Sequence, residues 1–282
     1  MGNPRHRWMC RSALVAVALL LPLASCASDG GSDASSAEPG EATTTAAPPE
    51  PLHILVSNDD GYDAPGIDAL VEGLATLEAV EITVVAPLDQ RSGTGGQETE
   101  GAVATSEVQT LSGHPATAVD GFPSDTIRVA IDEQGLEPDL VITGINAGQN
   151  LGPLVDVSGT VGAARAAVAR GIPALATSQG TAGELDYDAA VPMILDWVEA
   201  HRASLLAGDA AVDVTNLNVP SCTEGEVRGL LEVPADLDGD VAAALAGQDC
   251  TSTVEEGSLD GDVVAFTNGF ATIDVLAATP GG

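Results

Sequence analysis

Lysine is absent from this chain, and only nine arginines stand against 42 acidic residues. Binding of nucleic acid needs a basic patch or stripe, so that function class is excluded. The missing lysine also argues against a Walker-type phosphate loop, whose lysine reaches the phosphates. Cysteine is scarce too: Cys10, Cys26, Cys222 and Cys250 show no zinc-like spacing. No apolar run reaches the roughly 20 residues that a membrane-spanning helix requires. The longest, Ala13 to Ala24, has twelve.

What is present at the N-terminus reads as an export signal. Arg5, Arg7 and Arg11 form a basic region ahead of that apolar segment. Leu23-Ala24-Ser25-Cys26 then resembles the bacterial lipobox, in which small residues precede a cysteine that is lipidated at Cys26. The plainer alternative is an ordinary secretory signal with an incidental cysteine. Residues 27 to 50 are nearly all Ala, Ser, Gly, Asp, Glu, Thr and Pro, too polar to offset the entropy of ordering, which predicts a disordered tether. As a coil it would span roughly 25–30 Å. Residues 51 to 282 remain, enough for one α/β domain. Removal of the signal leaves six arginines against 42 acidic residues, a formal charge of -36. A chain this acidic can hold a small anion only if bound cations supply local positive charge. In an exported domain the even pair Cys222 and Cys250 defaults to a structural disulfide.

Along that domain, strands alternate with helices. Leu52 to Ser57 opens as a buried strand, and Ile67, Leu70, Val71, Leu74 and Leu77 recur at helical spacing behind Pro65. Further strands are expected at Glu81–Ala86, Thr117–Asp120, Asp139–Ile145, Ile172–Thr177 and Val212–Val219. Helices are expected from Ser124, as N-cap, to Ile131, then over Val161–Arg170 and Tyr187–Leu206. Residues 97 to 113 are open between strand and loop. The alternation indicates a Rossmann-like, mostly parallel sheet with helices on both faces, residues 51 to 220 forming the core. From residue 221 onward, Glu226–Val233 and Asp262–Leu276 read as β segments without a convincing helix, a small C-terminal β extension of the same domain.

Three loops that follow strands carry oxygen groups suited to a hard divalent cation: Asp59 and Asp60, Ser92, and Asn146. Ligands of open α/β sheets sit at the carboxyl ends of the strands, so neighbouring strands would let these oxygens meet. Taken alone, Asn58-Asp59-Asp60-Gly61 is more often a polar turn than a metal site. His53, His114 and His201 read as structural or exposed, and Asp125 as a first-turn helix carboxylate. A covalent aspartyl phosphate is disfavoured, because such enzymes carry D-x-D at the strand end and a later lysine; here the opening strand ends in Asp59-Asp60 and no lysine is present.

Several motifs in register make a more specific resemblance. They are S-N-D-D-G-Y-D-A-P-G-I, V-V-A-P-L-D-Q-R-S-G, G-F-P-S-D-T, P-D-L-V-I-T-G-I-N-A-G-Q-N-L-G, S-G-T-V-G-A-A and N-L-N-V-P, between residues 52 and 220. Together they resemble the SurE family of 5′/3′-nucleotidases. The resemblance implies a metal-dependent phosphomonoesterase acting on nucleoside monophosphates with one divalent ion, Mg²⁺ or Mn²⁺. It implies Asp59, Asp60, Ser92 and Asn146 as metal ligands, and Asp59, Asp60 and Asn150 as catalytic residues. Asn58, Gly93, Asn146, Ser158, Gly159 and Thr160 are implied at the phosphate and substrate. The chain departs from the family at Leu88, Pro153-Leu154 and Val157, on the expected pocket rim. That motivates an alternative, a degenerate envelope lipoprotein that binds metal or nucleotide without turnover. The family also implies a homodimer, built through a hairpin and tail in a region that is shorter here.

Overall fold

The computed structural model describes residues 50–181, 185 and 187–280. The expected signal peptide, Cys26 and the tether up to residue 49 lie outside the described residues. Within them the chain builds one nine-stranded sheet. The strands are β1 (Leu52–Ser57), β2 (Val80–Pro87), β3 (Thr105–Gln109), β4 (Pro115–Val119), β5 (Leu140–Ala147), β6 (Ala174–Gln179), β7 (Val214–Val219), β8 (Leu230–Glu232) and β9 (Ala271–Leu276). The helices are α1 (Pro65–Leu74), α2 (Pro123–Arg128), α3 (Gly159–Val168), α4 (Ala190–Ala207), α5 (Val241–Ala244) and α6 (Asp262–Thr267).

Strand order is β3-β4-β2-β1-β5-β6-β7-β9-β8, with β4, β2, β1, β5, β6 and β7 mutually parallel. Interior parallel strands are covered on both faces and read as near-continuous apolar runs, as in the L-V-I-T-G-I of β5. From β1 the chain moves outward through β2 to β4, then returns to the other side of β1 to make β5. The β1/β5 junction is therefore the topological switch point, where the loops leave toward opposite faces and open a crevice.

Alternate residues of each strand divide the core in two. Leu52, Ile54 and Val56 pack with Ile67, Leu70 and Leu74 of α1 and Ile194 and Val198 of α4. Leu55, Val85 and Val141 pack with Ile127 of α2 and Val161, Ala163, Ala164 and Ala167 of α3. Because α4 returns on the α1 face, the β6–α4–β7 crossover has the opposite hand to β1–α1–β2 and β5–α3–β6. Parallel crossovers are right-handed in about 98% of cases. The residue pattern indicates the parallel sheet that is observed; the reversed crossover has no local signature.

Four local expectations are corrected. Helix α2 is capped at Phe122, not Ser124, because Pro123 lacks an N–H and takes the first helical position. Asp125 then reaches back to accept the Phe122 N–H at 2.9 Å. Helix α3 starts at Gly159 rather than Val161, with the Ser158 hydroxyl accepting the Val161 N–H at 3.1 Å. The expected β segment over Asp262–Leu276 is helix α6 followed by β9. Val263 and Phe266 are buried at helical spacing, and Gly269 ends the helix with φ +83°. The expected Glu226–Val233 strand shrinks to Leu230–Glu232, paired parallel to β9. Disulfide Cys222–Cys250 is present, Cα–Cα 5.7 Å, joining the segment after β7 to the C-terminal extension.

Candidate active site

Beyond Ser57 the chain turns tightly. Asn58 Oδ1 accepts the Gly61 N–H at 3.2 Å while its Nδ2 donates to the Gly61 carbonyl at 2.8 Å, with Gly61 at φ +109°. Asn58 is fully buried and engages both ends of its amide in this turn. In this arrangement its amide shapes the turn. The turn sets Asp59 against α3 and Asp60 against β5. Thr160 Oγ1 donates to Asp59 Oδ1 at 2.7 Å, and the Ala147 N–H donates to Asp60 Oδ2 at 3.1 Å.

Close backbone approach makes this possible. A Cβ on Gly159 would stand 2.8 Å from Asp59 Cβ and Oδ2, so only glycine fits opposite that carboxylate. A Cβ on Gly66 would meet the Ile145 carbonyl at 2.0 Å, where the start of α1 packs on the end of β5. The β2 loop joins the same cluster, since the Arg91 N–H donates to the Asp59 carbonyl at 2.6 Å and the Gly95 N–H to the Val157 carbonyl at 3.0 Å. In that loop Ser92 is exposed, its hydroxyl accepting from Gln90 Nε2 at 2.8 Å, and Gly93 adopts φ +76°. From the other side of the crevice, Asn146 Nδ2 donates to the Gly148 carbonyl at 2.7 Å, so its Oδ1 is the atom that could serve a cation.

All candidate donors are oxygens: two carboxylates, a hydroxyl and a carboxamide. Among the described residues no group of three or more His, Cys, Asp or Glu side chains is placed to hold a metal. The two carboxylates therefore need neutral oxygens to complete a set, and an all-oxygen set selects a hard cation. The electrostatics agree. Burial, with help from the Asp60 charge, pushes the Asp59 carboxyl up to about 6, against the pull of the Thr160 hydroxyl. Burial likewise raises Asp60, opposed by the Ala147 N–H and Gln90. A buried carboxylate next to a half-buried one, without a counter-charge, is unfavourable, and a divalent cation held by both would offset that cost.

Helix α3 brings its N-terminus to the same crevice. Its first N–H groups have no partner within the helix and carry the positive end of the helix dipole, so they suit an anion. Ser158 caps this end, and Gly159 packs on Asp59. The Thr160 side chain, fully buried, is spent on Asp59. Its hydroxyl is thus a positioning group for Asp59.

Asn150 is nearly buried, its Nδ2 donating to Ser178 Oγ at 2.9 Å. Ser178 is the register partner of Asn146 on one side and Asn218 on the other, so the three form a row at the carboxyl ends of β5, β6 and β7. Sequence reading assigned no role to Ser178, Asn216, Asn218 or Tyr187. The alternation of Asn216 and Asn218 in N-L-N, which puts both on one face, was the available signal. Tyr187 is buried with φ +60°, and its phenol is pushed up to about 12 by burial and by the Asp60 charge.

Other expected residues stay outside. Asp125 is fully buried in the first turn of α2, where burial is outweighed by hydrogen bonds from Thr99, Phe122 and Arg128 that hold it below the usual carboxylate range. His53 and His201 are exposed. A groove of about 940 Å³ lined by Ile82, Val84, Val108 and His114 contains none of the candidate residues. On the rim, Leu88 and Val157 are exposed, and Leu154 packs against Leu151, Ala244, Val263 and Phe266.

A family model described as survival protein SurE matches residues 54–234. The 5′-nucleotidase SurE of Brevibacillus brevis is 40% identical over 193 residues, covering 66% of this chain and 72% of that protein. The 5′-nucleotidase SurE of Methylococcus capsulatus is 39% identical over 182 residues, covering 63% and 68%. The crystal structure of the SurE protein from Aquifex aeolicus is similar with a TM-score of 0.62 and 26% identity, over 81% of this chain and 94% of that one.

Proposed function

This chain belongs to the survival protein SurE family, and on that footing we propose that it is a metal-dependent phosphomonoesterase. Its substrates are nucleoside 5′- or 3′-monophosphates, hydrolysed to nucleoside and phosphate. One observation carries the reading: at the sheet's switch point the buried carboxylate of Asp59 faces the N-terminus of a ten-residue helix, with the half-buried Asp60 beside it. A chain of this charge can take a phosphate there only with a cation alongside.

Asp59, Asp60, Ser92 and Asn146 would hold one divalent ion, Mg²⁺ or Mn²⁺. When bound, the ion neutralises phosphate charge and lowers the pKa of a coordinated water. The protein's own groups do the rest. Thr160 and Ala147 fix the two carboxylates through single hydrogen bonds. Main-chain N–H groups at Gly159 and Thr160 orient the phosphoryl oxygens, with Asn150 and Gly93 at the edge of the same space. Asp59 or Asp60 would also assist proton transfer from the attacking water. Leaving-group departure in line with that water needs the substrate held rigidly, which the clamped loops around the crevice supply.

The proposed setting is extracytoplasmic, with Cys26 lipidated and the domain tethered to the membrane. It is supported by the Cys222–Cys250 disulfide, since such bonds persist in oxidising compartments. Among the described residues no helix is long and apolar enough to cross a membrane. A homodimer is carried over from the family as a further proposal, read by sedimentation of residues 51–282.

A panel of nucleoside monophosphates against Mg²⁺, Mn²⁺ and chelator, with phosphate release as readout, tests the activity. Turnover that needs the metal and disappears in Asp59→Asn is expected. Tight nucleotide binding by calorimetry with no product over hours would overturn it in favour of a non-catalytic binding protein.

A further inference from the structure

We propose that Asn218 of β7 is a positioning residue for the reaction, acting through Asn150. The inference rests on the reading of the crevice given above and extends it to residues not assigned there.

Loop 148–151, between β5 and the short helical turn Gly152–Asp156, lacks regular secondary structure, yet it must hold Asn150 beside Asn146 and the start of α3. Asn218 supplies what a strand partner would. Its Oδ1 accepts the Asn150 N–H at 2.7 Å and its Nδ2 donates to the Asn150 carbonyl at 3.2 Å. One side chain thus satisfies both main-chain groups of a single residue. Asn216, two residues back on the same face, donates from Nδ2 to the same carbonyl at 3.1 Å. Both asparagines are 1% exposed, so no water competes for these bonds.

With its backbone held, the Asn150 side chain has one course, onto Ser178 in the Asn146–Ser178–Asn218 row. The far end of the loop is fixed independently. The Gly152 N–H donates to the buried Asp262 carboxylate at 2.7 Å, and Leu151 is buried with Val263 and Phe266. The loop is gripped at both ends, and Asn218 grips the end nearest Asn146. A displacement of about 1 Å in a site of this kind costs on the order of 100-fold in rate.

Asn218→Leu keeps the approximate volume and removes both bonds. It is expected to lower kcat about 10- to 100-fold with KM changed less than about threefold, and to speed amide exchange at Asn150 in protein free of metal and substrate. Asn218→Asp, which keeps the acceptor for the Asn150 N–H, should recover part of the lost kcat. Ser178→Ala, a smaller change in the same row, serves if Asn218→Leu does not fold, and should lower kcat in the same direction. Asp68→Asn is the control. This carboxylate accepts the Ser112 N–H and hydroxyl at the opposite edge of the sheet, so its loss should lower Tm and leave kcat unchanged. Folded Asn218→Leu and Ser178→Ala with wild-type kcat, or wild-type exchange at Asn150, overturn the proposal. Absence of turnover in the wild-type protein would instead overturn the hydrolase reading, and the exchange measurement still reads the clamp.

Discussion

Asp59→Asn should make the cation-free protein more stable at pH 8 while abolishing its response to metal. The carboxyl rises from 3.8 in the open chain to about 6 in the fold. That is about two pK units, worth about 3 kcal/mol at about 1.36 kcal/mol per unit. A raised carboxyl contributes stability below about pH 4 and loses it as pH climbs through about 6. Above that, the folded protein carries a buried charge that the unfolded chain would expose to water. Asparagine keeps an oxygen to accept the Thr160 hydroxyl and removes the charge. For a domain of this size about 3 kcal/mol corresponds to roughly 6–12 °C in Tm. The assay is a set of thermal melts in chelator from pH 4 to 8, repeated with Mn²⁺. The variant should melt higher at pH 8, and the difference should vanish toward pH 4. Added Mn²⁺ at about 100 times its Kd should stabilise the wild-type protein by about 2.7 kcal/mol and leave the variant unmoved. Wild-type affinity for Mn²⁺ should weaken as pH falls through about 6, where protons compete for the carboxylate. A variant that melts no higher than wild type at pH 8 in chelator refutes the electrostatic argument, and one that still gains stability from Mn²⁺ refutes Asp59 as a ligand.

Gly159→Ala places a methyl 2.8 Å from Asp59 Oδ2; calorimetry should show Mn²⁺ affinity reduced at least tenfold, and a change under twofold would show that the carboxylate yields freely. Opening the Cys222–Cys250 bond frees a loop 28 residues long. The chain-entropy estimate is a loss of about 3–4 kcal/mol, measurable as a lower denaturation midpoint on reduction. Intact mass should also rise by two hydrogens.

Local pattern determined a good deal. The buried run of β1, the acidic pair behind it and the alternation of strands with helices all follow from side-chain periodicity and turn chemistry within a few residues of one another. Asp59, Asp60, Ser92 and Asn146 stood out as candidates for that reason: the first three follow recognisable strands and Asn146 lies near the end of one. The segment Asp262–Leu276 misled because a short apolar stretch satisfies both periods, and only burial of Val263 and Phe266 against Leu151 selects the helix. Tertiary structure alone decided that α4 crosses back over α1, that the Thr160 hydroxyl is held on Asp59, that the Asn58 side chain closes its own turn, and that Asn218 holds Asn150 from 68 residues away. These depend on strand order and register, which join residues distant in the chain. The same holds for the raised carboxyl of Asp59: acidity is written in the residue, but its burial is set by the helix and loops that close over it.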